Sequence, residues 1–315
     1  MSALHRRSTS HSWCLFLGVL AVLLPAAFAE DAVPPHRAKQ IRDAAPEKPR
    51  VAPKKPRRVL LFVTPPHLME NDPHKGYNIP FAVSALKTLG EKTGAFEAVL
   101  SDDIAALRPD ALAKLDAIAL CNTSGPWITP SDAAMERLKD LGDRTAAEGA
   151  LRKGLLDFVA NGGGLFAIHF AIGGNAHWPE FRELLGASYD GHPWNEEVRI
   201  TLDEPDHPLV VAFGGKGFRL AEEIFQYKEP YARSKVRVLL SLDTTATNMG
   251  VKWINRKDGD FALAWAKAHG KGRVFYTAIG HRTEVFWDPR ILQFYLDGLQ
   301  FAAGDLEADV SPKGK

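Results

Sequence analysis

The sequence predicts an α/β protein built on an open, mostly parallel sheet, and three observations predict it. Continuous apolar runs at Val59-Leu60-Leu61-Phe62-Val63, Leu115 to Cys121, Leu165-Phe166-Ala167-Ile168 and Gly272 to Ala278 suit strands buried on both faces. Stretches of helical periodicity lie between them. Asn161-Gly162-Gly163-Gly164 closes a helix on glycine, and the strand that follows ends on His169. In open parallel sheets ligands bind outside the carboxyl ends of the strands, so a titratable side chain there is placed for chemistry.

Within 315 residues, 45% hydrophobic and 24% charged residues describe an ordinary globular chain with enough core to fold unaided. The formal net charge of +1 excludes a whole-molecule field that would draw nucleic acid or an anionic membrane. Residues 1–29 read as a secretory signal peptide: His5-Arg6-Arg7 is a positive start, Trp13 to Leu24 an apolar core, and Ala27-Phe28-Ala29 a small-x-small cleavage site. The apolar stretch falls short of the roughly 20 residues that span a bilayer, so no permanent anchor is expected. The mature product is expected to be periplasmic or secreted. Of the 2 cysteines, Cys14 lies in that segment, which leaves Cys121 without an intramolecular disulfide partner. Residues 30–56 are rich in proline and lysine and read as a solvated linker, 57–304 as one domain without internal repeats, and 305–315 as a charged, mobile tail.

Inside the domain, Arg57 to Thr64 predicts the first strand, stopped by Pro65-Pro66. A polar loop from His67 to Asn78 precedes a helix over Ile79 to Lys92, whose apolar residues Phe81, Ala85, Leu86 and Leu89 share a face. Phe96 to Leu100 and Leu115 to Cys121 read as strands, which places Cys121 in the core. Ser131 to Leu141 and Glu148 to Ala160 read as helices, the first capped by Ser131 or Thr129. After His169 come a turn at Ile172 to Asn175, a short helix from Trp178 ended by Gly186, and a loop at Gly191-His192-Pro193-Trp194. Val198 to Leu202 alternates as a half-exposed strand should, and strands follow at Val236 to Leu242, Ala262 to Ala266 and Gly272 to Ala278. The last ends in Ile279-Gly280-His281, a second histidine at a strand end. Pro289, at a position where helices accept proline, opens a closing helix through Leu292, Tyr295, Leu296 and Leu299.

Standard chemical signatures are absent. Gly162-Gly163-Gly164 precedes a strand, whereas a dinucleotide loop follows one, and no Walker loop, nucleophile elbow or His-Glu-x-x-His occurs. A divalent metal site would have to come from distant residues, with His169, His207, His281 and the Glu222-Glu223 pair as the candidates.

Gly162 to His169, Gly191-His192-Pro193-Trp194, Asp206-His207-Pro208, Glu222-Glu223-Ile224-Phe225-Gln226, Gly270 to Tyr276 and Gly280-His281, in this order, resemble the trehalose-utilisation, or ThuA-like, family. The resemblance implies a three-layer α/β fold like the class I glutamine amidotransferases without their catalytic cysteine; His169 stands on the strand that would precede that cysteine. It also implies a carbohydrate substrate and a sugar oxidoreductase as pathway partner. The family's first loop carries a histidine where Asn78 stands here, with His74 as the alternative donor, and its usual Asp-Glu is Glu222-Glu223. The reading is then an exported enzyme acting on a keto-sugar or glycoside, with His169, Glu223, His281 and His207 as catalytic or ligand residues. Trp178, His192, Trp194, Gln226 and Trp287 are the substrate-binding candidates. Proton abstraction beside a carbonyl needs a base and an electrophile, which histidine, glutamate and a divalent metal supply. The alternative is a carbohydrate-binding module that uses its tryptophans as stacking surfaces.

Overall fold

The apolar runs pair into a nine-stranded sheet, and the strand ends that carry the predicted histidines meet at one edge of it. The computed structural model describes residues 33–314, so the predicted signal peptide lies outside the described residues. The strands are β1 Arg58–Phe62, β2 Glu97–Ser101, β3 Ala117–Cys121, β4 Gly164–Ile168, β5 Ser188–Tyr189, β6 Trp194–Leu202, β7 Phe218–Ile224, β8 Tyr227–Lys228, β9 Arg237–Leu242, β10 Ala262–His269 and β11 Gly272–Thr277. The helices are α1 Pro35–Ala44, α2 Pro66–Met69, α3 Ile79–Thr93, α4 Pro109–Leu112, α5 Asp132–Leu138, α6 Arg144–Ala160, α7 Pro179–Leu185 and α8 Pro289–Ala302. Sheet order is β2-β1-β3-β4-β11-β10-β9-β6-β7, with β5 and β8 paired separately.

From β2 to β11 every neighbour is parallel, and from β11 to β7 every neighbour is antiparallel. Only β10 and β6 therefore run against the other strands of this sheet, as a mostly parallel sheet requires. Alternate residues of the parallel strands feed two cores. Val59, Leu61 and Phe166 pack with α1, α3 and α8 on one face. Leu60, Phe62 and Leu165 pack with α4, α5, α6 and α7 on the other, giving three layers. Among the described residues no helix is long and apolar enough to cross a membrane.

Local chemistry sets the boundaries. Ser131 accepts a hydrogen bond from the Ala134 amide and caps α5 as predicted. Helix α6 starts earlier than its periodicity suggests, because Asp143 caps it through the Ala146 amide at 2.8 Å. At its far end Gly162, with φ 119°, takes the left-handed turn, while Asn161 stays at φ −92°.

Two expectations about the flanks need correction. The segment read as a solvated linker holds α1, whose Ile41 is fully buried in the core, and Arg50 pairs with the buried Asp297 of α8 at 2.8 Å. The tail read as mobile lies against the body: Asp305 binds Arg57 at 2.6 Å and Asp309 faces Arg237 at 3.3 Å.

The β6–β7 hairpin was only half legible. Strand β6 pairs with β9 only through Ile200 to Leu202, yet it pairs with β7 from Trp194 to Ile200. Residues 194–199 and the end of β7 therefore project past β9. A flat sheet with strands about 4.8 Å apart would leave β7 more than 20 Å from β4. The projecting ribbon instead bends back over the carboxyl edge, which is how Glu222 and Glu223 reach the ends of β4 and β11.

Candidate functional site

The site begins where β4 stops. His169 has φ 47°, a conformation that non-glycine residues seldom adopt, and its ring is fully buried against Phe225 with centroids 4.2 Å apart. Its Nδ1 lies 2.7 Å from the Ala278 carbonyl oxygen, which can only accept, so Nδ1 carries the proton. Nε2 then points its lone pair at Glu223 Oε2, 3.3 Å away. Burial pushes the ring down to about 4, against the pull of Glu223.

His281 arrives from β11 through Gly280. A Cβ on Gly280 would lie 2.3 Å from Ile168 Cγ2 and 3.2 Å from His169 Cβ, and its φ is 150°. Only glycine lets the two loops come this close. The result is a His169–His281 centroid separation of 5.2 Å, with His281 Nδ1 3.6 Å from Glu223 Oε2. Burial chiefly lowers the His281 pKa as well.

Glu222 holds that loop from behind. Its carboxylate accepts from the amides of Gly280 at 2.6 Å, His281 at 2.7 Å and Arg282 at 2.9 Å. Burial pushes this carboxyl up to about 7, although the amides favour its charged form. Glu223, the next residue, faces the pocket. Burial acts to raise its pKa, but the rings of His169, His281 and His192 outweigh that and hold it below the usual glutamate range. His192 Nε2 stands 3.8 Å from Glu223 Oε1, and its Nδ1 contacts the Tyr189 hydroxyl at 2.5 Å.

A third buried histidine joins them. Thr64 Oγ1 donates to Asp72 at 2.7 Å, Asp72 accepts the His74 amide at 2.8 Å, and the His74 ring turns Nδ1 toward Asp72 Oδ1 at 3.4 Å. One ring nitrogen from each of His74, His169 and His281 lies within 4.8 Å of the other two, a set that could hold a metal ion. His74 thus stands in the pocket, while Asn78 forms its floor. The Asn78 amide donates to the His281 carbonyl at 3.0 Å and accepts from Asn122, which also donates to the Gly280 carbonyl at 3.1 Å. Asn122 further accepts from the Phe170 amide at 3.3 Å, so one side chain ties three loops together. Tyr77, His192 and His281 form the open rim.

Five predicted site residues stand elsewhere. His207 caps the short helix Pro208–Phe213, accepting from the Leu209 amide and donating to the Asp309 carbonyl at 2.9 Å; its position after a turn is that of a latch for the tail. Trp178 packs on Phe181 in the core. Trp194 packs on Phe261 and donates to the Asn248 carbonyl. Trp287 packs at a tilt against Phe81 and lies under the Arg37 guanidinium of α1. Gln226 is buried with both amide ends occupied by the loop backbone at Asp190, Trp253, Asn255 and Arg256. The structure brings His169, Glu223, His281 and His192 together. Cys121 is buried, its thiol pushed up to about 12 by desolvation, as its core assignment predicts. A cavity of about 630 Å³ opens at the opposite edge, around Arg57, Asp116 and Gly162, and holds none of these residues.

Sequence reasoning did not single out Asn122, Tyr189 or Phe225, and named His74 only as a substitute. The rule that flagged His169, a polar residue at the carboxyl end of a buried strand, applies equally to Asn122 after β3.

The model of the family described as "Trehalose utilisation" (ThuA) matches residues 69–302. Among solved structures, a ThuA-like protein from Bacteroides uniformis ATCC 8492 is 22% identical with a TM-score of 0.57, covering 80% of this chain and 92% of its own. A second, from Parabacteroides merdae ATCC 43184, is 17% identical with a TM-score of 0.52, covering 82% and 93%. No curated protein matches the chain.

Proposed function

The chain belongs to the trehalose-utilisation (ThuA) family, and from that premise we propose that it is an exported enzyme removing a proton beside the carbonyl of an oxidised sugar or glycoside. The observation that carries this reading is Glu223, a carboxylate facing the unpartnered ring nitrogens of His169 and His281 at 3.3 and 3.6 Å, next to the exposed His192. Glu223 takes the proton from the carbon next to the carbonyl. The enolate charge that develops on the carbonyl oxygen calls for an electrophile beside the histidine rings, since His169 Nε2 presents a lone pair there. Return of the proton to the former carbonyl carbon isomerises the sugar when the adjacent hydroxyl passes its own proton to the enolate oxygen, and departure of a group beta to the carbonyl completes an elimination. His192 and Tyr77 on the rim are placed to hold hydroxyl groups. A sugar oxidoreductase would supply the substrate, and the sequence features of residues 1–29 support export with cleavage after Ala29.

The binding-module reading relied on Trp178, Trp194, Trp253 and Trp287 as stacking surfaces; the rings of Trp178, Trp194 and Trp287 are engaged elsewhere, and Trp253 alone of the four is exposed, at 72%. The test is incubation with a 3-keto-disaccharide in deuterated water. We expect deuterium to enter beside the carbonyl together with turnover, and Glu223→Gln to lower both by ~10²–10⁴-fold with the melting temperature nearly unchanged. Saturable binding without exchange or product would overturn the proposal.

A further inference from the structure

We propose that His74, His169 and His281 together bind one divalent transition-metal ion, zinc being the ion their chemistry suits best. The proposal rests on the same reading of the pocket and supplies the electrophile that a lone carboxylate base lacks. Three imidazoles without a cluster of carboxylate or carbonyl oxygens favour zinc, copper, iron or nickel over magnesium or calcium.

The first argument is spacing. Three loops, after β1, β4 and β11, bring one nitrogen from each ring within 4.8 Å of the others. Around zinc at roughly 2.0–2.1 Å, tetrahedral nitrogens stand about 3.3 Å apart, so the rings need to close by up to about 1.5 Å. His281 is partly exposed, and both it and His74 stand on loops outside the sheet.

The second argument is that the rings carry unpartnered nitrogens. His74 Nδ1, His169 Nε2 and His281 Nδ1 are buried and have no hydrogen-bond partner. The Ala278 carbonyl fixes the His169 proton on Nδ1, so Nε2 offers a lone pair toward Glu223 Oε2, itself an acceptor. Two acceptors at 3.3 Å need positive charge nearby, and an ion bound by the rings supplies it.

The third is the support behind the rings. His169 is oriented by a backbone carbonyl, and the His74 ring lies beside Asp72, with Nδ1 3.4 Å from Oδ1, while the other Asp72 oxygen is held by Thr64. Carbonyl or carboxylate partners on the second ring nitrogen are how proteins aim metal-binding imidazoles. With His74 Nδ1 turned to Asp72, Nε2 is its ligand atom. Three protein ligands leave a fourth position for water or a substrate oxygen, the pattern of catalytic rather than structural zinc.

The test is calorimetric titration of the full mature chain, stripped with a chelator, with zinc chloride in the absence of any sugar; native mass spectrometry gives the stoichiometry. We expect one zinc per chain and a higher melting temperature with the ion bound. His281→Ala and His74→Ala should each weaken affinity by about 100-fold or more, and Asp72→Asn by about 10–100-fold. Because His169 is fully buried, its removal risks the fold, and these three variants carry the test. No bound zinc, or equal affinity in the wild type and the His74→Ala/His281→Ala double variant, would overturn the proposal. Deuterium exchange without metal would sink this inference alone, whereas stoichiometric zinc without exchange would sink the proposed reaction and leave the metal site standing.

Discussion

Adjacent residues Glu222 and Glu223 do opposite work because successive strand side chains point to opposite faces. Glu222 collects backbone amides in a dry interior, and Glu223 reaches the pocket. Glu222→Gln keeps one acceptor oxygen but turns an NH₂ group toward amides that need an acceptor. It should lose ~1–3 kcal/mol in a urea titration, whereas Glu223→Gln should leave the unfolding midpoint within error. At this scale the sequence was legible where position alone decides the role. His169 and His281 follow apolar runs, so whichever way the chain leaves the strand, the imidazole is the first polar group outside the core. The tryptophans were not legible in the same way. Trp178 and Trp194 sit beside turn residues, as a sugar platform would, and only the neighbours that bury them distinguish a core ring from an exposed one. His207 failed for a related reason: Asp-His-Pro reads alike whether the ring faces a ligand or caps a helix.

The parallel half of the sheet was legible element by element, since a strand buried on both faces needs an unbroken apolar run and little else imitates one at that length. Helix α1 was missed because Pro34-Pro35 suggests extended chain and Ile41 is its one fully buried side chain. Proline in the first turn costs a helix nothing, and one well-placed isoleucine is enough to dock it. Ile41→Ala should therefore cost ~2–5 kcal/mol, as for other large-to-small core changes, where a true linker residue would cost nothing measurable; differential scanning calorimetry of the two proteins decides. Strand β7 was missed because Phe218 to Glu223 mixes charges with apolar residues. Half of that strand faces solvent and the other half carries the two glutamates, so its chemistry hid its geometry.

For the molecule as a whole, the two chain flanks are tied to the start of the sheet by one ion network. Arg57 binds Asp116 at 2.9 Å and Asp305 at 2.6 Å, and Lys55 also reaches Asp116. Burial acts to raise the Asp116 pKa, but Lys55, the Arg58 amide and Arg57 outweigh it and hold it below the usual value. A depressed folded pKa means the stabilisation is complete above the unfolded aspartate value of about 3.9 and is lost as pH falls through the folded value. Asp116→Asn should be roughly 1–3 kcal/mol less stable at pH 7, and the difference from wild type should shrink below pH 4 when unfolding is followed against pH.

The bent-back β6–β7 ribbon has a kinetic consequence. Asn78 and the His281 carbonyl that it grips are 203 residues apart in the chain, and Asn122 and Gly280 are 158 apart. Such high-order contacts form late, because loop closure must precede any gain from them. A refolding chain can pair β1 to β4 early and still present only scattered imidazoles, and no carboxylate meets them until the far edge of the sheet has swung over. The assembled site should then appear with the last long-range contact, rather than grow in step with secondary structure.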